Sequence, residues 1–117
     1  MYLFKTELQA LFCLLAEIVN ADGIISDNEN RYTSSLMNDY GFSRADMISA
    51  QQMDIHVALR MVREMEDQKK ALFYRIFQKM EHIDGSPFPQ TIEATNQITI
   101  KARLLESEKL FGDKWID

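Results

Sequence analysis

Ala16-Glu17-Ile18-Val19-Asn20-Ala21-Asp22-Gly23-Ile24-Ile25-Ser26-Asp27-Asn28-Glu29 joins two helical patterns through one tight turn. Upstream, Leu8, Leu11, Phe12, Leu15, Ile18 and Val19 recur at spacings of three and four, the apolar stripe of a long first helix. Thr6, with Gln9 three residues later, is its candidate N-cap. Asp22-Gly23 should end it, because glycine tolerates the left-handed conformation that closes helices. Ser26-Asp27-Asn28-Glu29 then spells a capping box. The Ser26 hydroxyl can accept from the Glu29 N–H, and the Glu29 carboxylate from the Ser26 N–H.

Helical signals continue down the chain. Tyr32, Leu36, Met37 and Tyr40 stripe a second helix that Gly41 closes. Ser43-Arg44-Ala45-Asp46 opens a short third. Asp54 caps a fourth carrying Ile55, Ala58, Leu59 and Val62. Asp67 breaks the chain before a fifth, with Leu72, Phe73, Ile76, Phe77, Met80 and Ile83 on one side. The fifth ends at Asp84-Gly85. After Pro87, a sixth runs from about Pro89 to Glu106, with Ile92, Ile98, Ala102 and Leu105 inward. No segment alternates with period two. The expectation is an all-α protein, one domain over residues 1–117, built as a bundle of about six to seven helices. Leu110, Phe111, Trp115 and Ile116 in the 107–117 tail either pack back on that domain or form a patch for a partner.

The two Asp-Gly turns point to an internal repeat. A shift of about 62 residues lays Asp22-Gly23 on Asp84-Gly85, Phe12 on Tyr74, Leu14 on Ile76, Leu15 on Phe77, Ile18 on Met80 and Leu36 on Ile98. The stripe keeps its phase through two helices. This predicts two helix–Asp-Gly–helix units packed face to face, with the two turns in related positions.

Charge and composition exclude several classes. The formal net charge is −5, which argues against nucleic-acid binding by clustered basic residues. Lys69–Lys70 and Lys101–Arg103 read as solvated helix faces. The longest apolar-rich stretch, Leu8–Val19, is interrupted by Gln9 and Glu17 and falls short of the ~20 residues that span a bilayer. Lys5 followed by Glu7 does not make a secretory leader. No membrane insertion and a cytoplasmic location are therefore expected. The single cysteine, Cys13, sits near the apolar face of the first helix and reads as a small core residue. Met37, Met61, Met65 and Met80, at helical spacing, read as core too. His56 and His82 lack zinc-ligand spacing, no Gly-rich phosphate loop is present, and no carboxylate pair stands out for acid–base work. The chain reads as non-enzymatic.

The Ala16–Glu29 stretch, with its weaker echo His82-Ile83-Asp84-Gly85, resembles the signature of the tellurite-resistance TerB-like family. The resemblance covers roughly residues 5–105. It implies a duplicated all-helical fold, a mostly bacterial family linked to stress and tellurite resistance, and kinship with a domain of membrane-anchored J-domain co-chaperones. It also implies an acidic metal-binding cluster, which falls here on Asp22, Glu29 and Asp84. The second repeat has Thr91 where the first has Glu29, with Glu93 two residues on.

The same residues admit other readings. With Gly23 at the sixth position of an EF-hand loop, the first position is Ile18, where calcium needs an Asp oxygen; the second turn offers Met80 and Thr91. An EF-hand is therefore not expected. Asp22 and Asp84 can instead bond turn amides while Glu29 completes a cap. If a cation binds, Asp22, Glu29 and Asp84, helped by Glu17, Asp27 and Glu93, offer hard oxygens suited to Ca²⁺, Mg²⁺ or Mn²⁺. The competing expectation is a ligand-free module for an unidentified protein partner or for self-association.

Overall fold

Polar side chains set most of the helix boundaries in the computed structural model, which describes residues 2–106. The helices are α1 (Lys5–Asn20), α2 (Asp27–Asp39), α3 (Arg44–Gln51), α4 (Ile55–Arg63), α5 (Asp67–Glu81) and α6 (Pro89–Lys101). Helix resumes at 104–106, and no strand occurs among the described residues. No helix among them is long and apolar enough to cross a membrane. The tail aromatics, Phe111 and Trp115, lie outside the described residues.

The capping box of α2 forms as the sequence predicts. The Glu29 N–H donates to Ser26 Oγ at 3.1 Å, and the Ser26 N–H donates to Glu29 Oε1 at 2.8 Å. Ser43 and Asp46 repeat the arrangement on α3. Asp54 Oδ1 accepts from the His56 N–H at 2.7 Å to start α4. For α1 the expected cap is wrong. The cap lies two residues earlier: Phe4 is the N-cap residue, and its N–H donates to Glu7 Oε1 at 2.8 Å, while Thr6 is already inside the helix.

The core forms around α1, which touches α3, α4, α5 and α6. Its burial is wider than one stripe, because Ala10, Cys13 and Leu14 are buried along with Leu8, Leu11, Phe12, Leu15, Ile18 and Val19. A helix enclosed on most sides is expected to be apolar on most sides. From α5, Phe73, Phe77 and Met80 close the core, and Phe12 stacks on Phe42 with ring centroids 4.5 Å apart. Met37, Met61 and Met65 pack against this core, half-buried.

The repeat holds at the level of whole elements. Adding 62 carries Asp27–Asp39 onto 89–101, the bounds of α6, and Lys5–Asn20 onto 67–82, one residue beyond α5. The turns share their closing backbone bond. The Gly23 N–H donates to the Asn20 carbonyl at 3.1 Å, and the Gly85 N–H to the His82 carbonyl at 3.0 Å. Gly23 and Gly85 have φ of +77° and +98°, the region that favours glycine. Packing has diverged, however. α6 lies against α1, α4 and α5, whereas α2 packs sparsely and buries only Leu36 and Glu29.

Three further expectations need correction. Lys69 and Lys70 are buried, not solvated. Lys69 Nζ is 3.0 Å from Glu7 Oε1 and lies over the Phe4 ring, and Lys70 Nζ donates to the Arg63 carbonyl at the end of α4. Their long stems bury while each ammonium finds an acceptor. The sixth helix stops at Lys101 instead of Glu106, because Arg103 takes φ +54°. Finally, Ile92 and Leu105 are exposed. α6 turns Thr91, Thr95 and Thr99 inward instead. Threonine can be buried on a helix because its hydroxyl bonds the preceding turn: Thr95 Oγ1 donates to the Thr91 carbonyl at 3.0 Å, and Thr99 Oγ1 to the Thr95 carbonyl at 2.8 Å.

Candidate functional site

The two Asp-Gly turns meet. Asn28, in the first turn of α2, donates from Nδ2 to Asp84 Oδ1 at 2.8 Å, across 56 residues of chain. Beside this bond lies a cavity of about 40 Å³, lined by Asp22, Glu29, Glu81, Asp84 and Thr91 with Met80, Ile83, Phe88 and the 85–87 segment. All three acidic residues singled out in the sequence therefore share one cavity wall.

Each of the three already carries a structural bond. Asp22 Oδ1 accepts from the Ile24 N–H at 2.9 Å, which shapes the turn. Glu29, buried, caps α2 through Oε1. Asp84 accepts from Asn28. The turn-and-cap role read from the sequence is thus realised for Asp22 and Glu29, whereas Asp84 bonds the Asn28 side chain instead of a turn amide. The positions equivalent by the 62-residue shift, Glu29 and Thr91, are both buried on the same cavity. Of the auxiliary acids, Glu17 and Asp27 do not line it, and Glu93 is exposed and bonded to Gln97.

Glu81 is the residue that sequence reasoning missed. It is 9% exposed, faces the cavity, and has no hydrogen-bond or ion-pair partner among the described residues. Its equivalent in the first repeat is Val19, so the repeat gave no hint of a carboxylate here. Among the described residues, no three His, Cys, Asp or Glu side chains stand close enough together to hold a metal ion as they are placed. The cavity gathers carboxylates without focusing them. The EF-hand frame fails for a plain reason: Ile18 and Met80, its first positions, are closed into the core.

A larger recess of about 430 Å³ separates α1, α2 and α3. Phe12, Leu15, Val19, Ile25, Met37 and Met47 supply its apolar surface and Arg44 its charge. Cys13 lies outside both spaces. It donates from Sγ to the Met53 carbonyl at 3.5 Å, and burial, followed by the charges of Glu17 and Asp54, pushes its thiol up. A thiol held neutral is a poor nucleophile.

No family model, curated protein or solved structure matches this chain.

Proposed function

We propose that the chain is a non-enzymatic binding module of the TerB-like kind, working in the bacterial cytoplasm, that takes up a divalent cation between its two Asp-Gly turns. The observation that carries this reading is Glu81: a largely buried residue whose carboxylate has no hydrogen-bond or ion-pair partner among the described residues and which lines one cavity with Asp22, Glu29 and Asp84. Carboxylates gathered on one small cavity repel one another, and a cation between them would relieve that repulsion. Asp22, Glu29 and Asp84 each spend one oxygen on a structural bond, which leaves the second oxygen for a ligand. Hard oxygens favour Ca²⁺, Mg²⁺ or Mn²⁺ over Zn²⁺. The carboxylates must close in to bind, and the sparse packing of α2 lets Glu29 do so.

The test is a thermal melt of chelator-treated protein with each cation, beside Asp22→Asn and Glu81→Gln. Binding at about 100 times the dissociation constant should add roughly 2.7 kcal/mol. A rise with one cation that both variants lose is the expected result. No rise with any cation overturns the reading.

A second reading, a ligand-free module for protein association, is favoured by the α1–α2–α3 recess. Ile25 at its rim is half exposed, and Ile24 beside it more so. A mass that grows with concentration and falls back with Ile24→Glu/Ile25→Glu would support it.

A further inference from the structure

On this acidic chain, the structure also gathers positive charge at one place. His56, Arg60 and Arg63 fall at i, i+4 and i+7 on α4, and Lys101 reaches the same recess from the end of α6. The recess is about 410 Å³, floored by Leu59, and its lining contains no carboxylate. Arg60, Arg63 and Lys101 are exposed, and none takes part in an ion pair among the described residues. By contrast, Lys5 and Lys69 are both paired.

Basic residues in the last turns, Arg60 and Arg63 of α4 and Lys101 of α6, complement the helix dipoles. That role does not account for two helix ends opening onto one concave, carboxylate-free surface together with His56. We propose that this recess is a docking site for an acidic segment of a protein partner.

Three arguments select that occupant. The ladder from His56 to Arg63 spans about 10 Å along the helix, which suits several carboxylates in a row better than one small anion. Arginine forks pair with carboxylates in bidentate fashion. Leu59, with Val57 and Ile100 exposed nearby in sequence, adds apolar surface for a peptide. Nucleic acid is disfavoured, because the net charge of −5 gives no basic track beyond the recess. The site is separate from the Asp-Gly turns and does not depend on cation binding.

The experiment uses the full chain and a fluorescent 12-residue peptide of alternating Glu and Leu, read by anisotropy at low and moderate salt. Inorganic phosphate, single-stranded DNA and phosphatidylserine vesicles serve as comparison probes. Arg60→Glu/Arg63→Glu and the milder Arg60→Gln/Arg63→Gln are compared with Arg31→Glu, an exposed arginine of α2. The expected result is peptide binding that weakens with salt, weakens roughly tenfold or more in both double variants, and survives Arg31→Glu. Circular dichroism should show the variants folded. Three outcomes overturn the proposal: no peptide binding at low salt, binding indifferent to Arg60 and Arg63, or stronger binding of phosphate, DNA or vesicles than of the peptide.

Discussion

Glu7 and Lys69 occupy the same position in the two repeats, and they are bonded to each other. Lys69 Nζ lies 3.0 and 3.1 Å from the two Glu7 oxygens. The pair therefore ties the two repeats together at one shared position. The side chains are 10% and 13% exposed, which makes the ion pair largely buried. Glu7 also caps α1, so a single carboxylate ties the start of α1 to α5.

Lys69→Met should therefore cost roughly 2–4 kcal/mol, because it leaves the Glu7 charge half-compensated in a dry place. The Glu7→Gln/Lys69→Met double variant should be destabilised by less than the sum of the single changes. Urea unfolding of the four proteins checks this. Additivity within about 0.5 kcal/mol would show that the pair is not coupled.

How far such features can be read from sequence depends on whether they are local. The capping boxes at Ser26 and Ser43 and the Asp54 cap lie within three residues and are legible there. So are the two glycine turns and the phase of the repeat. The burial of Lys69 is not legible, since it depends on Glu7 and Phe4 arriving from the far end of the chain. Thr91, Thr95 and Thr99 look polar, and their back-bonding hides that they can face inward. Asp22, Glu29 and Asp84 were legible as a set only through the resemblance that the Ala16–Glu29 stretch and its echo at Asp84-Gly85 carry. Glu81 was not, because its neighbour Met80 marks the inward face and its repeat equivalent is a valine. The Asn28–Asp84 bond is likewise one-sided: the mate that symmetry would demand, Gln90 to Asp22, has no counterpart among the described residues. That asymmetry is where α2 has drifted from the packing of α6.

Glu29 tests the structural side of the site. Glu29→Ala should destabilise the protein by about 1–2 kcal/mol, through loss of the reciprocal cap and of a buried side chain. Glu29→Gln should retain most of that stability, because its amide oxygen can still accept from the Ser26 N–H. Equal losses in both variants, measured by chemical denaturation, would show that the charge of Glu29, not its cap, matters for folding.

The two glycines separate backbone strain from steric clash. A Cβ added at Gly23 or Gly85 meets nothing within 4 Å. Any cost of alanine there is conformational. Gly23→Ala should cost about 1 kcal/mol and Gly85→Ala more, since φ +98° lies farther than +77° from the small left-handed region open to other residues. Gly23→Asn should be milder than Gly23→Ala. Thermal melts of the three variants rank them, and a Gly85→Ala variant as stable as the wild type would contradict the assigned turn.

Asp46 predicts a response to acid. Hydrogen bonds from the Ser43 backbone and hydroxyl, and then Lys5, hold its carboxyl below the usual value of 3.8. A depressed folded-state pKa contributes stability above the unfolded value, and this is lost as pH falls through the folded one. The start of α3 should therefore loosen only below the ordinary carboxylate range. Ser43→Ala should move the Asp46 midpoint, followed by side-chain NMR, back upward. An unchanged midpoint would remove the Ser43 hydroxyl as a cause and leave the backbone N–H, which alanine keeps.

Cys13 responds at the other end of the pH scale. Burial is the main reason its thiol is raised above the model-compound value of 9.0. A raised folded-state pKa makes the stabilising contribution complete below the unfolded value and reduces it as pH climbs past that value, because the unfolded chain ionises first. The native protein should thus lose stability above about pH 9, and Cys13→Ser should not share that part of the loss. The thiolate is also the species that reacts with disulfide reagents. Native Cys13 should consequently react slowly at neutral pH and at a rate that follows the population of opened protein as urea is raised. Prompt labelling of the native chain, at the rate of a free thiol, would mean that the side chain is reachable without opening the α1 core.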